Sequence, residues 1–259
     1  MRTLAGVLGF PVAHSRSPAM MNAAFAELGL DGWRYLRLPI PPELFDATVS
    51  ALPGSGYRGA NVTIPHKLRA RAVADELSPA AAAIGAVNTL SFEASGAIRG
   101  DNTDAGGLLD AIGEPPPATA LVLGAGGAGR AAAWALRETG AEVAIWNRTP
   151  ARAAALADEL GVRHETSPGP ADLLVNATSV GLDPGDRLDD LPLVDAALVV
   201  DLTYGEGPTP LVRWAQERGA RSVDGREVLV RQGARSLELW TGLRAPVEAM
   251  REAVVQPAV

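Results

Sequence analysis

Apolar residues in this chain fall into short continuous runs, and between the runs they recur every third or fourth position. Such runs read as strands and the spaced pattern as helices, so the alternation predicts βα units on a mostly parallel sheet. An antiparallel sandwich does not read this way. The first strand is expected at residues 4–8, followed by a loop from Gly9 and a helix with Ser17 as N-cap and Pro18 at its first position. Met21, Ala24, Phe25 and Leu28 share one helical face, and Gly29 closes that helix. A strand at 33–40, a helix at 42–52 and a short strand at 60–63 come next. A helix through Leu68, Val73 and Leu77 follows, then a hairpin of residues 86–92 and 97–101 turning at Gly96, then a connecting helix at 103–112.

The run Gly113-Glu114-Pro115-Pro116-Pro117 is the stiffest linker in the chain, because proline fixes φ and removes a donor. Beyond it the pattern restarts with a strand at 120–123, a glycine loop, a helix at 130–138, a strand at 142–146 and a helix at 151–160. That is one βαβα unit of a nucleotide-binding half. Strands at 172–176 and 198–202 are almost wholly apolar, as strands covered on both faces should be. Residues 183–190 read as an acidic solvated loop, and 227–240 and 247–254 as helices. The expected fold class is α/β in two domains, 1–103 with 225–259 and a Rossmann-like 104–224, the C-terminal helices returning to the first domain.

Composition then narrows the chemistry. A chain of 259 residues is long enough for two cores, and 23 Lys+Arg against 30 Asp+Glu leave a net charge of −7. Nucleic acid is not an expected partner of so acidic a chain, although local patches can hold small phosphate-bearing molecules. The absence of cysteine excludes disulfides, thiolate metal sites and cysteine nucleophiles, and His14, His66 and His164 show no ligand spacing, so no metal is expected. No stretch approaches the roughly 20 apolar residues of a membrane span, and no signal-type segment opens the chain, which points to the cytoplasm.

Gly124-Ala125-Gly126-Gly127-Ala128-Gly129 holds a G-x-G-x-x-G pattern after a strand and before a helix. There the glycines let backbone N–H groups approach a pyrophosphate that also meets the positive helix end, the alternative being a bare strand–helix turn. Where an NAD site usually places a carboxylate for the ribose, this chain has Asn147-Arg148-Thr149 and then Arg152. Two guanidiniums one helical turn apart clamp a 2′-phosphate that a carboxylate would repel, so NADP is favoured over an ordinary solvated helix start. Ser15 and Ser17 place two hydroxyls beside free N–H groups at a helix start, which suits a carboxylate. Capping accounts for Ser17 alone; Ser15 has no such duty. Asp101 and Asp104, in Gly100-Asp101-Asn102-Thr103-Asp104, end a strand and open a helix, where a carboxylate either caps or points into a cleft.

Of the 23 basic residues, 22 are arginine and one is lysine, Lys67. A genome that prefers arginine codons explains the 22 and does not explain why position 67 was spared. Arginine stays protonated at any useful pH, whereas an amine can give and regain a proton. Lys67 is therefore a candidate proton donor, with chance survival as the alternative.

These segments, together with Gly9-Phe10-Pro11-Val12-Ala13-His14-Ser15-Arg16-Ser17-Pro18, Asn61-Val62-Thr63-Ile64-Pro65-His66-Lys67, Ile84-Gly85-Ala86-Val87-Asn88-Thr89, Asn176-Ala177-Thr178-Ser179 and Gln232-Gly233, occur in the order seen in shikimate dehydrogenases. The resemblance covers essentially the whole chain. It implies reversible reduction of 3-dehydroshikimate to shikimate by NADPH, on the route to chorismate and aromatic amino acids. It also implies that 1–103 with 225–259 is the substrate domain and 104–224 the NADP domain. Carried over by motif, Ser15 and Ser17 would bind the substrate carboxylate, and Thr63, Lys67, Asn88 and Asp104 its ring hydroxyls. Lys67 and Asp104 would be the catalytic pair, and Tyr204 and Gln232 would complete the pocket. Gly124, Ala125, Gly126, Gly127, Ala128, Gly129, Asn147, Arg148, Thr149, Arg152, Thr178 and Gly225 would hold the cofactor, Gly225 with its backbone at the nicotinamide amide. Met21, Leu182, Glu206 and Val228 depart from the family's usual residues, and none of them removes a charged catalytic group.

The chemistry agrees with the resemblance, since hydride arriving on a carbonyl carbon leaves a developing alkoxide that an ammonium can stabilise and protonate. Two rival readings stand beside this one: a quinate/shikimate dehydrogenase using NAD, and a non-catalytic NADP-binding sensor on the same scaffold. The arginine pair argues against the first, and the joint presence of Lys67 and Asp104 against the second. The partners expected are small molecules, with no nucleic acid and no membrane, for a monomer or homodimer.

Overall fold

The computed structural model describes residues 2–182 and 185–255; residues 183 and 184, which belong to the expected acidic loop, and residues 256–259 lie outside the described residues. The chain divides into two compact units, one running to Thr103 and resuming at Val230, the other Asp104–Leu229. Among the described residues no helix is long and apolar enough to cross a membrane.

The first unit is built from β1 (Thr3–Gly9), α1 (Ser17–Glu27), β2 (Trp33–Pro39), a 3-10 turn at Pro42–Leu44 leading into α2 (Phe45–Ala51), β3 (Tyr57–Val62), α3 (Lys67–Val73), β4 (Glu76–Leu77), α4 (Pro79–Ile84), β5 (Thr89–Phe92) and β6 (Ile98–Asp101). They form one sheet in the order β2-β1-β3-β5-β6-β4. β1 runs parallel to β2 and β3, and β4 to β6, while β5 is antiparallel to both its neighbours. That single reversal matters. Asn61 faces Thr89 and Thr89 faces Asp101, so the exit of β3, the entrance of β5 and the exit of β6 share one sheet edge. Leu8, Phe45, Val49, Ala60, Val62 and Leu90 pack beneath it in a closed core.

The helix expected to run through Leu77 stops at Val73. Ala74 is extended, and Asp75 ties the chain to β6 twice, its N–H donating to the Ile98 carbonyl and its carboxylate accepting the Ile98 N–H, each at 2.8 Å. Leu77 therefore lies on the edge strand β4.

α5 (Thr103–Ile112) leads into the second unit: β7 (Thr119–Leu123), α6 (Gly127–Glu138), β8 (Glu142–Trp146), α7 (Pro150–Leu160), β9 (Arg163–His164), β10 (Ala171–Asn176), β11 (Ala196–Asp201), α8 (Pro210–Glu217) and β12 (Arg221–Val223). The strands are all parallel, in the order β12-β11-β10-β7-β8-β9. The order reverses between β7 and β10, the switch point at which doubly wound sheets bind dinucleotides.

α9 (Gly225–Thr241) and α10 (Val247–Val255) complete the described residues. From Val230 onward they belong to the first unit, as the expected return of the C-terminal helices requires. α10 packs on α1. Trp240, 3% exposed, fills the space that a Cβ on Gly59 would take and donates its indole N–H to the Leu90 carbonyl at 3.1 Å. That bond satisfies the ring's one polar atom, so the indole can be buried against the sheet without an unpaired donor.

Candidate active site

Five predicted substrate residues lie at one edge of the first sheet, in its loops or at the helix starts that follow them. The loop after β1 carries Ser15 and Ser17, both buried. Their roles at the helix start are the reverse of those expected. Arg16 occupies the N-cap with helical angles, φ −90° and ψ −3°, so Ser17 is already helical and its hydroxyl caps nothing. Ser15 Oγ accepts the Ser17 N–H at 3.3 Å, and the Ser15 carbonyl accepts from Arg37 Nε and Nη2 at 3.1 and 2.9 Å. A hydroxyl two residues back competes well with the N-cap position when the intervening backbone turns early.

Thr63 follows β3 and donates its N–H to the Leu8 carbonyl at 2.9 Å, which joins the exits of β1 and β3. His66 is structural: its Nε2 lies 2.7 Å from the Ile40 carbonyl and its ring stacks on Phe45 with centroids 4.5 Å apart. Lys67, half-buried, is the first residue of α3, and its carbonyl accepts the Val87 N–H at 3.0 Å, one residue before Asn88. Asn88 is 1% exposed and its amide has one possible orientation. Oδ1 accepts the Thr103 backbone N–H at 2.7 Å, so Nδ2 faces Thr103 Oγ1 at 3.0 Å and Gln232 Oε1 at 3.3 Å. Gln232, on α9 and 7% exposed, is thus joined directly to Asn88. Asp104, also half-buried, is the next residue in α5 after Thr103.

In the second unit the glycine loop lies between β7 and α6, at the switch point. Its three motif glycines differ in what a side chain would meet. Gly124 has φ +111° and a Cβ there would lie 2.8 Å from the Ala177 carbonyl oxygen. A Cβ on Gly129 would overlap the Gly124 carbonyl. A Cβ on Gly126 would meet nothing within 4 Å. Gly126 is the N-cap of α6, with no side chain capping it and no acid in the first turn, so the uncapped N–H groups face an open cradle. That geometry fits a pyrophosphate. Asn147, after β8, closes one side, accepting the Ala125 N–H at 3.2 Å and donating to the Thr149 carbonyl at 3.0 Å. Arg148, Thr149 and Arg152 are exposed where β8 gives way to α7, which has no acid in its first turn. Thr178 is held at the end of β10 by Asn176, whose Oδ1 accepts from its N–H and hydroxyl at 3.1 and 2.7 Å.

Gly225, the first residue of α9, lies against the carbonyls of Asp201, Leu202 and Thr203, where any Cβ would overlap backbone. Half-buried Tyr204 follows in the same loop. The loop hangs on Asp201, whose buried carboxylate accepts from Asn176 Nδ2 at 2.9 Å, the Thr203 N–H at 3.0 Å, the Thr203 hydroxyl at 2.9 Å and the Thr209 hydroxyl at 2.5 Å. Burial still pushes its pKa above the ordinary 3.8, against those four donors.

Family models match in three segments: shikimate dehydrogenase substrate binding domain at residues 7–90, shikimate / quinate 5-dehydrogenase at 111–173 and shikimate 5′-dehydrogenase C-terminal domain at 225–255. The shikimate dehydrogenase (NADP(+)) of Thermus thermophilus is 48% identical over 261 residues, with 95% of each chain covered. The chain belongs to the shikimate dehydrogenase family. The relative of the same name from Methanopyrus kandleri is 45% identical over 277 residues, covering 97% of this chain and 94% of that one. A crystal structure of shikimate 5-dehydrogenase from Thermus thermophilus, in complex with NADP(H) and shikimate, superposes with a TM-score of 0.87 at 43% identity, covering 97% of this chain and 98% of that one. The chain is accordingly an oxidoreductase with the two-domain α/β architecture of that family.

Sequence reading missed the polar residues behind Asn88. Asn61, Thr89, Thr103 and Ser236 are all buried and bonded to one another, and Asp201 organises the loop that carries Tyr204. The available signal was their setting: an asparagine inside a strand and a serine on the apolar face of a helix break the local pattern.

Proposed function

We propose that the two residue sets serve one reaction, the first unit holding and protonating the substrate and the second holding the dinucleotide. The reaction is the NADP-dependent interconversion of 3-dehydroshikimate and shikimate, a step toward chorismate and the aromatic amino acids. Ser15 and Ser17 bind the substrate carboxylate. Thr63, Asn88, Tyr204 and Gln232 bind its hydroxyls and fix which ring carbon reacts. Bound in the glycine cradle, NADP(H) supplies or receives the hydride. Lys67 donates its proton to the developing alkoxide in reduction and takes it back in oxidation, and Asp104 holds the same hydroxyl and the amine in register, a role worth typically about 10²–10⁴-fold.

The cofactor residues divide by moiety. Gly124 through Gly129 receive the pyrophosphate, Asn147 and Thr149 shape the ribose end, Arg148 and Arg152 clamp the 2′-phosphate, and Thr178 and Gly225 line the nicotinamide side. We place this activity in the cytoplasm, on small molecules only, in a monomer or homodimer. The observation that supports the reading best is the meeting of the β1, β3, β5 and β6 loops at one sheet edge, which draws Thr63, Lys67, Asn88 and Thr103 together. An assay of nicotinamide reduction with shikimate or quinate crossed against NADP or NAD tests it. Turnover restricted to shikimate with NADP is the expected result; quinate with NAD as the better pair, or binding without turnover, would overturn it.

A further inference from the structure

Ser236 lies in the middle of α9, fully buried, where serine has a lower helix propensity than alanine. Its hydroxyl is fully committed. Oγ–H donates to the Gln232 carbonyl one turn back at 3.1 Å, which leaves both lone pairs to accept. Asn61 Nδ2 donates to it at 2.8 Å, and the hydroxyls of Thr89 and Thr103 lie 2.9 and 3.1 Å away. Thr89 and Thr103 are themselves 3.1 Å apart, so three buried hydroxyls close a triangle.

The direction of this network is set by groups that cannot reverse. Asn61 Nδ2 also faces the Asn88 carbonyl at 3.4 Å, an acceptor only, and Asn61 Oδ1 takes the Tyr35 hydroxyl at 2.7 Å, so the Asn61 amide cannot flip. Asn88 Oδ1 takes the Thr103 N–H at 2.7 Å and lies 3.1 and 3.2 Å from the Thr89 and Thr103 hydroxyls. Asn88 must then turn Nδ2 toward Gln232 Oε1, which fixes the side of Gln232 that faces it. Ser236 touches both partners of this pair, the backbone of Gln232 directly and the amide of Asn88 through the two threonines.

We propose that Ser236 is a positioning residue for Asn88 and Gln232, fixing the face that they turn toward the substrate hydroxyls. This rests on the assignment of Asn88 and Gln232 to the substrate. Loss of one such bond weakens what it orients by about three- to tenfold. Ser236→Ala is expected to raise KM for shikimate by that factor, with kcat within about twofold and KM for NADP unchanged, because Lys67, Asp104 and the glycine cradle are untouched.

The decisive comparison is a double-mutant cycle with Gln232→Ala. Ser236→Ala is expected to add less to KM once Gln232 is gone, only the part that acts through Asn88 remaining, since residues acting through one another do not add. A lowered Tm with KM for shikimate unchanged would reduce Ser236 to packing and overturn the proposal, as would an equal KM increase in both backgrounds. Wild-type protein inactive on shikimate with NADP would remove the substrate assignment itself, a result distinguishable from an active wild type that is indifferent to Ser236.

Discussion

Gly126 and Gly129 lie three residues apart in the same motif, and opposite consequences are expected from the same substitution. Gly126 has φ −89° and ψ −171°, angles open to any residue, and an added Cβ meets nothing within 4 Å. Gly126→Ala therefore leaves stability within about 1 kcal/mol, the poorer N-cap being offset by a less flexible unfolded chain. The methyl group nevertheless stands in the cradle and holds a pyrophosphate off the N–H groups. Losing one charge-assisted hydrogen bond, about 1.5–3 kcal/mol, weakens NADP binding by about 10- to 100-fold. Gly129→Ala drives a Cβ into the Gly124 carbonyl, backbone against backbone with no rotamer to give way. A cost of about 3 kcal/mol is expected, or about 6–12 °C in Tm. Thermal unfolding with and without NADP separates the two: Gly126→Ala keeps the unliganded Tm and loses the ligand-induced rise, whereas Gly129→Ala loses the Tm itself. A folded Gly126→Ala protein that bound NADP as the wild type does would refute the cradle.

Lys67→Ala is expected to retain binding of shikimate and NADP while turnover drops by at least about 10²-fold, and Lys67→Arg to fare little better, since a guanidinium does not release its proton; steady-state kinetics within a few-fold of wild type for either would refute the assignment. Arg148→Ala should weaken NADP far more than NAD in parallel titrations, and equal weakening would remove the 2′-phosphate clamp. Asp201 titrates above 3.8 in the folded chain, so the native state binds that proton more tightly than the unfolded state and stability falls as pH rises from 3.8 through the folded value. Asp201→Asn keeps an oxygen for Asn176 and Thr203 and removes that slope; denaturant melts between about pH 4 and pH 7 should show the variant gaining on the wild type, and parallel curves would contradict the burial argument.

Elements that carry a strong pattern are legible in the sequence. β8 falls at 142–146 and α5 at 103–112, as read from an apolar run and a helical repeat. The elements not foreseen are β4, β9, β12, α4 and α8: strands of two, two and three residues, and helices of six and eight. Such pieces are too short for periodicity and exist because neighbours pair or pack with them. The Ser15 and Ser17 exchange turned on a single backbone rotation at Arg16, which side-chain preference does not report. The hydroxyl triangle was invisible for another reason. Asn61 and Ser236 are 175 positions apart, and only the antiparallel insertion of β5 and the return of α9 bring them within bonding distance.

Lys67 is half-buried at the start of a helix, with its carbonyl pinned to the Val87 N–H beside Asn88, and no other side chain in the sequence ends in an amine. Protein grown on lysine enriched in nitrogen-15 at Nζ would therefore give one side-chain resonance with nothing to assign. That signal can be followed as shikimate or NADP is added, so the proposed proton donor is available as a spectroscopic probe without altering a residue.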